Sequence, residues 1–264
     1  MRRFLRLSLI TVASVFLLWK AADSWQLIKW FSFDRKDALS EWVEKVFRGR
    51  VLYTIKPDPE KGYLLAQSEK SASALFYNIN YSPKKHPFIS WKWKVDKFPS
   101  KDTQGISTKK GWIERDDYAV RVYVIFPSFI FTNTRCLEYI WSEFLPKGTI
   151  LTSPFFENIK LMILESGSDV LGEWVFEERN VLADYRAAFG RDASSNIGAI
   201  AIMTDSDNTA SSALASYSDI KVGYEKRIKS IGPNEVMDVI EGKPRRRNLI
   251  FKIIENFFRF ILPG

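Results

Sequence analysis

The sequence predicts an all-β protein, a jelly-roll-like antiparallel β-sandwich with one or two short helices. Between residues 51 and 222, many short runs are rich in β-branched and aromatic residues, which favour half-buried strands. Glycine, proline, serine or aspartate separates most of these runs, and such polar punctuation is typical of a sandwich or barrel. With 264 residues and a hydrophobic content of 46%, the chain is long enough for one large packed domain.

The expected elements follow in chain order. A short helix is predicted first, because the apolar residues between Leu39 and Phe47 are spaced as one face of a helix. Strands are predicted at 51–55, 63–68, 72–79, 88–95, 118–126, 137–141, 159–164, 173–177, 199–203 and 217–222. A second short helix is expected between Asn180, which can cap its N-terminus, and Gly190, which can end it in the left-handed conformation.

Two of these strands have faces of opposite character. Alternation along residues 91–95 sends both tryptophans to one face and both lysines to the other. Along residues 120–126 the valines share one face, while Arg121 and Tyr123 share the opposite one. If the apolar faces pack inward, the lysines, Arg121 and Tyr123 lie on an outer or concave surface.

An acidic loop follows the apolar strand at 199–203. Asp205, Asp207 and Asn208 place three oxygen-bearing side chains where a rigid strand can present them to a ligand or a cation. A solvated turn is the alternative, because these residue types are ordinary turn formers. No cofactor is required by the sequence, and calcium is the one that Asp205 and Asp207 could hold, although the glycine and glutamate of a complete EF-hand loop are absent.

We expect the polar motifs at the strand ends to form one ligand-binding cluster. Its predicted members are Asp116, Asp117, Arg121, Tyr123, Arg179, Asn180, Asp184, Tyr185, Asp205, Asp207 and Asn208. The two arginines would balance the carboxylates, since uncompensated like charges raise carboxylate pKa values.

An enzyme acting on a polysaccharide is the alternative use of the same carboxylates. One of Asp205 or Asp207 would then form an acid/base pair with one of three others, over a separation of about 5 to 9.5 Å. Those three candidates are Asp116, Asp117 and Glu173.

Several classes of site are disfavoured by composition. The single Cys136 excludes an intramolecular disulfide framework, and the single His86 would have to carry any triad or zinc site alone. The net charge is +8, but the basic clusters at 2–6 and 245–247 adjoin apolar stretches. This arrangement favours an anionic membrane surface as partner and disfavours nucleic acid.

The N-terminal segment 1–24 has the order of a signal peptide or signal anchor. A basic start precedes an apolar run at 7–19, and neither Ala21 nor Ala22 completes a small-x-small cleavage site. The positive-inside rule then predicts an exported protein on the periplasmic side, anchored to or associated with the inner membrane. A buried N-terminal helix of a cytosolic protein is the alternative.

The C-terminal segment differs from the domain at 30–224. A linker at 225–247 precedes residues 248–262, which predict an amphipathic helix with a wide apolar face. With arginines directly before it, this helix is typical of one that lies in a membrane interface. Docking on the domain or on a partner is the alternative.

Several motifs together carry a resemblance to a known family. They are WKWKV at 91–95, DDYAVRVYVIF at 116–126, ERN and DYRAAFG within 178–190, TDSDNT at 204–209 and YSDIKV at 217–222. Over residues 30–224 the chain resembles a bacterial family known as domain of unknown function 3047. The order of its elements is also similar to jelly-roll sandwiches of the carbohydrate-binding-module and lectin type, a likeness of fold that does not itself imply a function.

The expected function is non-catalytic binding of a glycan or another cell-envelope polymer. A β-sandwich face with aromatic and charged side chains, and acidic end loops able to hold a cation, is sufficient for this role. The polysaccharide-active enzyme and a structural envelope protein without a ligand are the alternatives.

Overall fold

The computed structural model of the protein describes residues 27–58, 62–101, 109–113 and 115–225, together with residues 252 and 256. The predicted anchor at 1–24 lies outside this part of the chain. So do the linker at 225–247 beyond its first residue and the predicted C-terminal helix apart from residues 252 and 256. Among the described residues, no helix is both long enough and apolar enough to span a bilayer.

The described residues form two β-sheets and little helix, which confirms the predicted all-β sandwich. The strands are β1 (Lys29–Phe31), β2 (Val43–Arg48), β3 (Leu52–Lys56), β4 (Tyr63–Glu69), β5 (Ala72–Tyr81), β6 (Phe88–Lys97), β7 (Arg121–Phe126), β8 (Arg135–Ser142), β9 (Ile150–Thr152), β10 (Ile159–Ser166), β11 (Val175–Asn180), β12 (Ile197–Asp205) and β13 (Ser212–Tyr224). Two short helices, α1 (Lys109–Ile113) and α2 (Val181–Phe189), lie outside the sheets.

One sheet has six strands in the order β11-β6-β13-β4-β3, with β1 paired to β13 beside this path. The other has seven strands in the order β2-β5-β12-β7-β8-β10-β9. All pairs in the six-stranded sheet are antiparallel, but β8 and β10 run parallel. The seven-stranded sheet is therefore mixed rather than purely antiparallel as predicted, because the chain between β8 and β10 crosses over instead of forming a hairpin.

The second predicted helix is confirmed, and its end signals act as expected. The Asn180 side chain accepts hydrogen bonds from the backbone N–H groups of Leu182 and Ala183, each at 3.1 Å. Gly190 follows the helix with a φ of 66°, a conformation that glycine adopts without steric cost.

The predicted helix between Leu39 and Phe47 is wrong. Residues 43–48 form the edge strand β2, which pairs with β5. Trp42 precedes this strand and packs on Phe31 and Tyr77, with ring-centroid distances of 4.7 Å to Phe31 and 5.8 Å to Tyr77. The helical spacing of the apolar residues was coincidental, and strand pairing together with burial of the indole decided the local structure.

The main core lies between the two sheets and contains the largest buried side chains of both. Trp91 and Trp93 of β6 face Tyr139 and Trp141 of β8, with ring centroids 5.3 Å apart for Trp91 and Tyr139 and 6.4 Å apart for Trp93 and Trp141. Both tryptophans of β6 are fully buried while Lys92 between them is exposed, as alternation predicts.

A second apolar layer covers the outer face of the seven-stranded sheet. Trp112 of α1 and Leu145 and Phe155 from the β8–β10 connection pack on this face. The predicted open surface for Arg121 and Tyr123 is therefore wrong. Both side chains do lie on the face away from the main core, but this second layer buries them.

The strands run between two ends of the sandwich. At one end, β12 finishes at Asp205, which pairs with Ala72, and β7 begins nearby at Arg121. We call this the acidic end. We call the opposite one the terminal end. It contains the finish of β7 at Phe126 and the finish of β13 at Tyr224, which pairs with Phe88. The described domain therefore begins and finishes at the terminal end.

Candidate functional site

Arg121 is the centre of a buried charge network at the acidic end. Its guanidinium forms a bidentate pair with Asp205, in which Nε lies 2.9 Å from Oδ1 and Nη2 lies 2.5 Å from Oδ2. Nη1 donates to Oε1 of Glu138 at 2.6 Å. Nη2 also donates to the backbone carbonyl of Asp116, whose carboxylate is more distant at 3.5 Å. All four side chains are buried, so one guanidinium faces three carboxyl groups away from water.

Burial and this crowding shift the ionisation of the network. Burial raises the pKa of Asp116 to about 7; Arg121 opposes that shift, and Glu138 adds to it. Burial also raises the pKa of Asp205 above its ordinary value, against the effect of Arg121. Burial alone would lower the pKa of Arg121, but the neighbouring Asp205 and the other acidic groups raise it, so the guanidinium stays charged.

Asp117 fastens the acidic loop to the same network. Its carboxylate accepts hydrogen bonds from the backbone N–H of Asn208 at 3.2 Å and from the backbone N–H and hydroxyl of Thr209, both at 2.6 Å. One carboxylate oxygen from each of Asp117, Asp205 and Asp207 lies within 4.8 Å of the others. Carboxylates in such a group are suitable calcium ligands, but those of Asp117 and Asp205 already accept several hydrogen bonds.

The third predicted motif lies elsewhere. Arg179 forms a bidentate pair with Asp184, and the Tyr139 hydroxyl donates to the same carboxylate at 2.8 Å. Tyr139 lies in the main core, whereas its neighbour Glu138 points to the opposite face of the sheet. Asn180 pairs with Phe88 at the terminal end. The structure thus separates this motif from the Arg121 network and does not give one combined cluster.

The placement of the carboxylates disfavours their use as an acid/base pair. Asp116, Asp117 and Asp205 are buried, so a polysaccharide does not reach them in this conformation. Glu173 is exposed, but it precedes β11 at the edge of the other sheet. Tyr185 is also buried, against Phe126 at a ring-centroid distance of 4.7 Å. Asp117 and Asp205 form hydrogen bonds to other segments of the fold, whereas Asp207 is half-buried.

An open groove lies instead on the outer face of the six-stranded sheet. It has a volume of about 470 Å³. Three aromatic side chains border it, with exposed fractions of 43% for Trp30, 42% for Trp174 and 54% for Phe176. The other lining residues are Ser32, Asp34, Asp58, Gly62, Lys92, Ser218, Asp219 and Lys221. We call this feature the aromatic groove.

The strand order explains the shape of the aromatic groove. Phe176 pairs with Lys92, Lys92 pairs with Ser218, and Trp30 pairs with Lys221 farther along the same strand as Ser218. The groove therefore crosses β11, β6, β13 and β1 rather than following one strand. At about 4.8 Å per strand step, these three steps span roughly 14 Å.

A β-bulge in β13 places the central polar group of the groove. The register of β13 against β6 shifts between Ser218 and Lys221, and Asp219 within this bulge has a φ of 50°. The carboxylate of Asp219 accepts a hydrogen bond from the Trp30 indole at 2.8 Å and lies 3.2 Å from the Lys221 ammonium. The bulge also interrupts strict alternation along β13, because Tyr217 and Ile220 both lie in the main core although they are three residues apart.

The tryptophans are further oriented by cations. The Lys221 ammonium lies 5.4 Å from the Trp30 ring centroid, and the Lys94 ammonium lies 5.9 Å from that of Trp174. Tyr63 contacts Trp174 edge to face at 5.7 Å. These contacts hold the exposed rings in defined positions.

Sequence reasoning missed most of the aromatic groove. The outward face of Lys92 was the available signal, because alternation in residues 91–95 indicated it. Trp30, Trp174 and Phe176 come from two distant segments, and only the pairing of β1 and β11 into the sheet brings them together.

The family of the chain follows from comparison with known sequences. The family described as "Protein of unknown function (DUF3047)" matches residues 40–221. The chain belongs to this family. No curated protein matches its sequence.

Solved structures with a similar fold include proteins that act on or bind polysaccharides. The family 11 carbohydrate-binding module of the cellulase Lic26A-Cel5E of Clostridium thermocellum is 13% identical with a TM-score of 0.36, over 72% of this chain and 91% of that one. The CBM22-1 xylan-binding domain of Paenibacillus barcinonensis Xyn10C is 9% identical with a TM-score of 0.39, over 77% and 97%. The xyloglucanase domain of NopAA from Sinorhizobium fredii is 11% identical with a TM-score of 0.41, over 70% and 93%.

Proposed function

We propose that this protein binds a glycan or another cell-envelope polymer in the aromatic groove, without catalysing a reaction. The observation that carries this proposal is the set of three exposed aromatic side chains around a concave, polar floor. Exposed aromatic rings in a concavity are typical of binding sites, because the surface of a soluble protein without a ligand site rarely exposes several large apolar side chains together. Indole and phenyl faces stack on the C–H faces of sugar rings, while nearby polar groups bind the hydroxyls.

The dimensions of the groove favour a polymer over a single sugar. Aromatic rings stand at both sides of a floor that spans roughly 14 Å across the strands. Phe176 lies on one side and Trp30 on the other, so the two can contact different rings of one chain. A single pyranose would contact only one side.

The charges of the groove favour recognition through hydroxyl groups. Asp219 lies 3.8 Å from Lys92 and 3.2 Å from Lys221. Asp34 and Asp58 also line the groove, so its two lysines are balanced by three aspartates and no positive charge is in excess. Their remaining hydrogen-bond capacity suits a ligand with many neutral donors and acceptors. A strongly anionic polymer would need a groove with an excess of positive charge.

We also propose that the protein is exported to the periplasmic side and associates there with the inner membrane. Two segments of the sequence support this location, residues 1–24 and residues 245–262. In each of them, basic residues come directly before an apolar stretch. A glycan-binding groove on an exported, anchored domain would meet envelope polymers directly.

The proposal is tested by affinity electrophoresis in gels that contain soluble polysaccharides, followed by calorimetry with oligosaccharides of those that retard the protein. Trp174→Ala should weaken binding roughly tenfold, since about 60 Å² of stacked area at about 25 cal/mol per Å² is worth about 1.5 kcal/mol. Leu52→Ala is the matched control, because Leu52 is exposed on the same sheet but does not line the groove.

Each outcome has a distinct consequence. Equal binding by wild type and Trp174→Ala would move the binding site away from the groove. Release of reducing ends during incubation would show the carboxylate-dependent enzyme instead. Failure to bind any envelope polysaccharide would leave a structural envelope protein as the better account.

A further inference from the structure

The connection between β7 and β8 exposes two adjacent apolar side chains at the terminal end. Phe129 is 86% exposed and Ile130 is 58% exposed. Single apolar residues on a surface are common, but a neighbouring phenylalanine and isoleucine at a loop tip form a compact apolar patch. We call residues 127–134 the apolar loop.

A basic cavity lies directly beside the apolar loop. Its volume is about 500 Å³, and Arg135 and Arg191 line it together with Asn133 and Ser194. The guanidinium of Arg135 lies 5.5 Å from the ring centroid of Phe189, and the ammonium of Lys160 lies 5.9 Å from the same centroid. Arginine is well suited to bind phosphate, because its planar guanidinium can donate two parallel hydrogen bonds to the phosphate oxygens.

Both termini of the described domain lie at this same end. Ile28 donates a backbone hydrogen bond to Gly223 at 3.0 Å, so the first and last described segments are adjacent. The apolar run at 7–19 ends eight residues before Leu27. Eight extended residues reach about 26 to 29 Å at most, so a chain anchored by that run keeps the terminal end near the bilayer.

We propose that the terminal end contacts the membrane through the apolar loop. Phe129 and Ile130 enter the boundary between headgroups and acyl chains, and Arg135 and Arg191 bind the phosphates of anionic lipids. The occupant is an anionic bilayer, because the apolar pair and the arginines match the two chemistries that such a surface presents next to each other. This inference rests on the proposed membrane association and is independent of glycan binding.

The experiment uses the full chain reconstituted in vesicles of phosphatidylglycerol or of phosphatidylcholine. Phe129→Cys is labelled with an environment-sensitive NBD fluorophore, and the native Cys136 does not compete because it is buried. Leu52→Cys is the matched control. Leu52 is a comparably exposed apolar residue, at 60%, and it lies on β3 near the acidic end.

The expected result is a blue shift of the label at 129 in phosphatidylglycerol vesicles, with quenching by lipids that carry a spin label near the headgroup. The label at 52 should report water in both vesicle types. Arg191→Gln should weaken the contact about fivefold, since each basic residue near an anionic surface contributes about 1 kcal/mol. Arg50→Gln, which changes an exposed arginine beside Gly49 near the acidic end, should have no effect.

The two proposals fail in different ways. If the full chain does not sediment with vesicles, the proposed membrane association is wrong. If it sediments but the label at 129 stays in water, the association is retained and the apolar loop is not its contact. A label at 129 that responds to inorganic phosphate but not to phosphatidylglycerol vesicles would also overturn the inference, because it would show a site for free phosphate.

Discussion

Asp116 should make the protein less stable as the pH rises towards 8. Its carboxyl group is buried beside Arg121, but that guanidinium already makes shorter contacts with Asp205 and Glu138. Oδ1 of Asp116 has no hydrogen-bond partner among the described residues. Ionising Asp116 therefore places a poorly compensated charge in the protein interior.

The size of the effect follows from the pKa shift. Burial raises the pKa of Asp116 from the ordinary 3.8 to about 7. Between these two values the unfolded chain has lost the proton and the folded protein retains it, so stability falls as the pH rises. At about 1.36 kcal/mol per pKa unit, the full interval corresponds to roughly 4 kcal/mol, which is lost by pH 8.

The test compares wild type with Asp116→Asn by denaturant unfolding between pH 4.5 and pH 8.5. The amide stands in for the protonated acid, so the variant should exceed wild type by only about 1 kcal/mol at pH 4.5 and by about 4 kcal/mol at pH 8.5. Some pH dependence should survive, because burial and the neighbouring Glu165 raise the pKa of Glu177 to about 8. Asp192→Asn, which removes only an exposed ion pair with Arg186, is the control and should change the stability by less than about 1 kcal/mol. The reasoning is refuted if Asp116→Asn is less stable than wild type at pH 8.5.

Three further results are expected. Arg121→Leu should lower the free energy of unfolding by about 3 to 5 kcal/mol, because it leaves buried carboxylates without their cation; a loss below 1 kcal/mol in urea unfolding would contradict the network. Asn180→Ala should cost about 1 kcal/mol through loss of the helix cap, measured in the same way, and an unchanged midpoint would contradict the cap. Calcium or a chelator should leave the melting temperature unchanged, since the carboxylates of Asp117 and Asp205 already have donors. A rise with calcium concentration would instead show a cation site.

Local patterns were sufficient to predict most strands and the helix α2. The longer strands have β-branched runs and polar ends, and α2 has a cap residue and a terminal glycine. The three-residue strands β1 and β9 are too short for alternation to be detected. Strand β2 was predicted as a helix because its apolar residues have the spacing of a helix face, and only its pairing with β5 identifies it as a strand.

The charge network was partly predictable and its burial was not. The sequence predicted that Arg121 would balance carboxylates of the polar motifs, and it does so for Asp205 and Asp116. The second apolar layer on this face comes from α1, which ends eight residues before Arg121, and from the β8–β10 connection, which is farther along the chain. Arg121 and Tyr123, which the strand pattern placed on an open surface, are therefore buried, because side chains from other segments of the chain remove them from water.

The two sheet faces that point away from the main core differ in a way that bears on function. The outer face of the seven-stranded sheet is covered by the second apolar layer, whereas the outer face of the six-stranded sheet carries lysines, serines and the aromatic groove. Strands of the six-stranded sheet run between the acidic and terminal ends, and the groove crosses them. With the terminal end against a bilayer, the groove would run parallel to the membrane surface and open sideways. A long polymer lying along the membrane could then pass through the groove without meeting the bilayer, which makes the proposed glycan binding and the proposed membrane contact geometrically compatible.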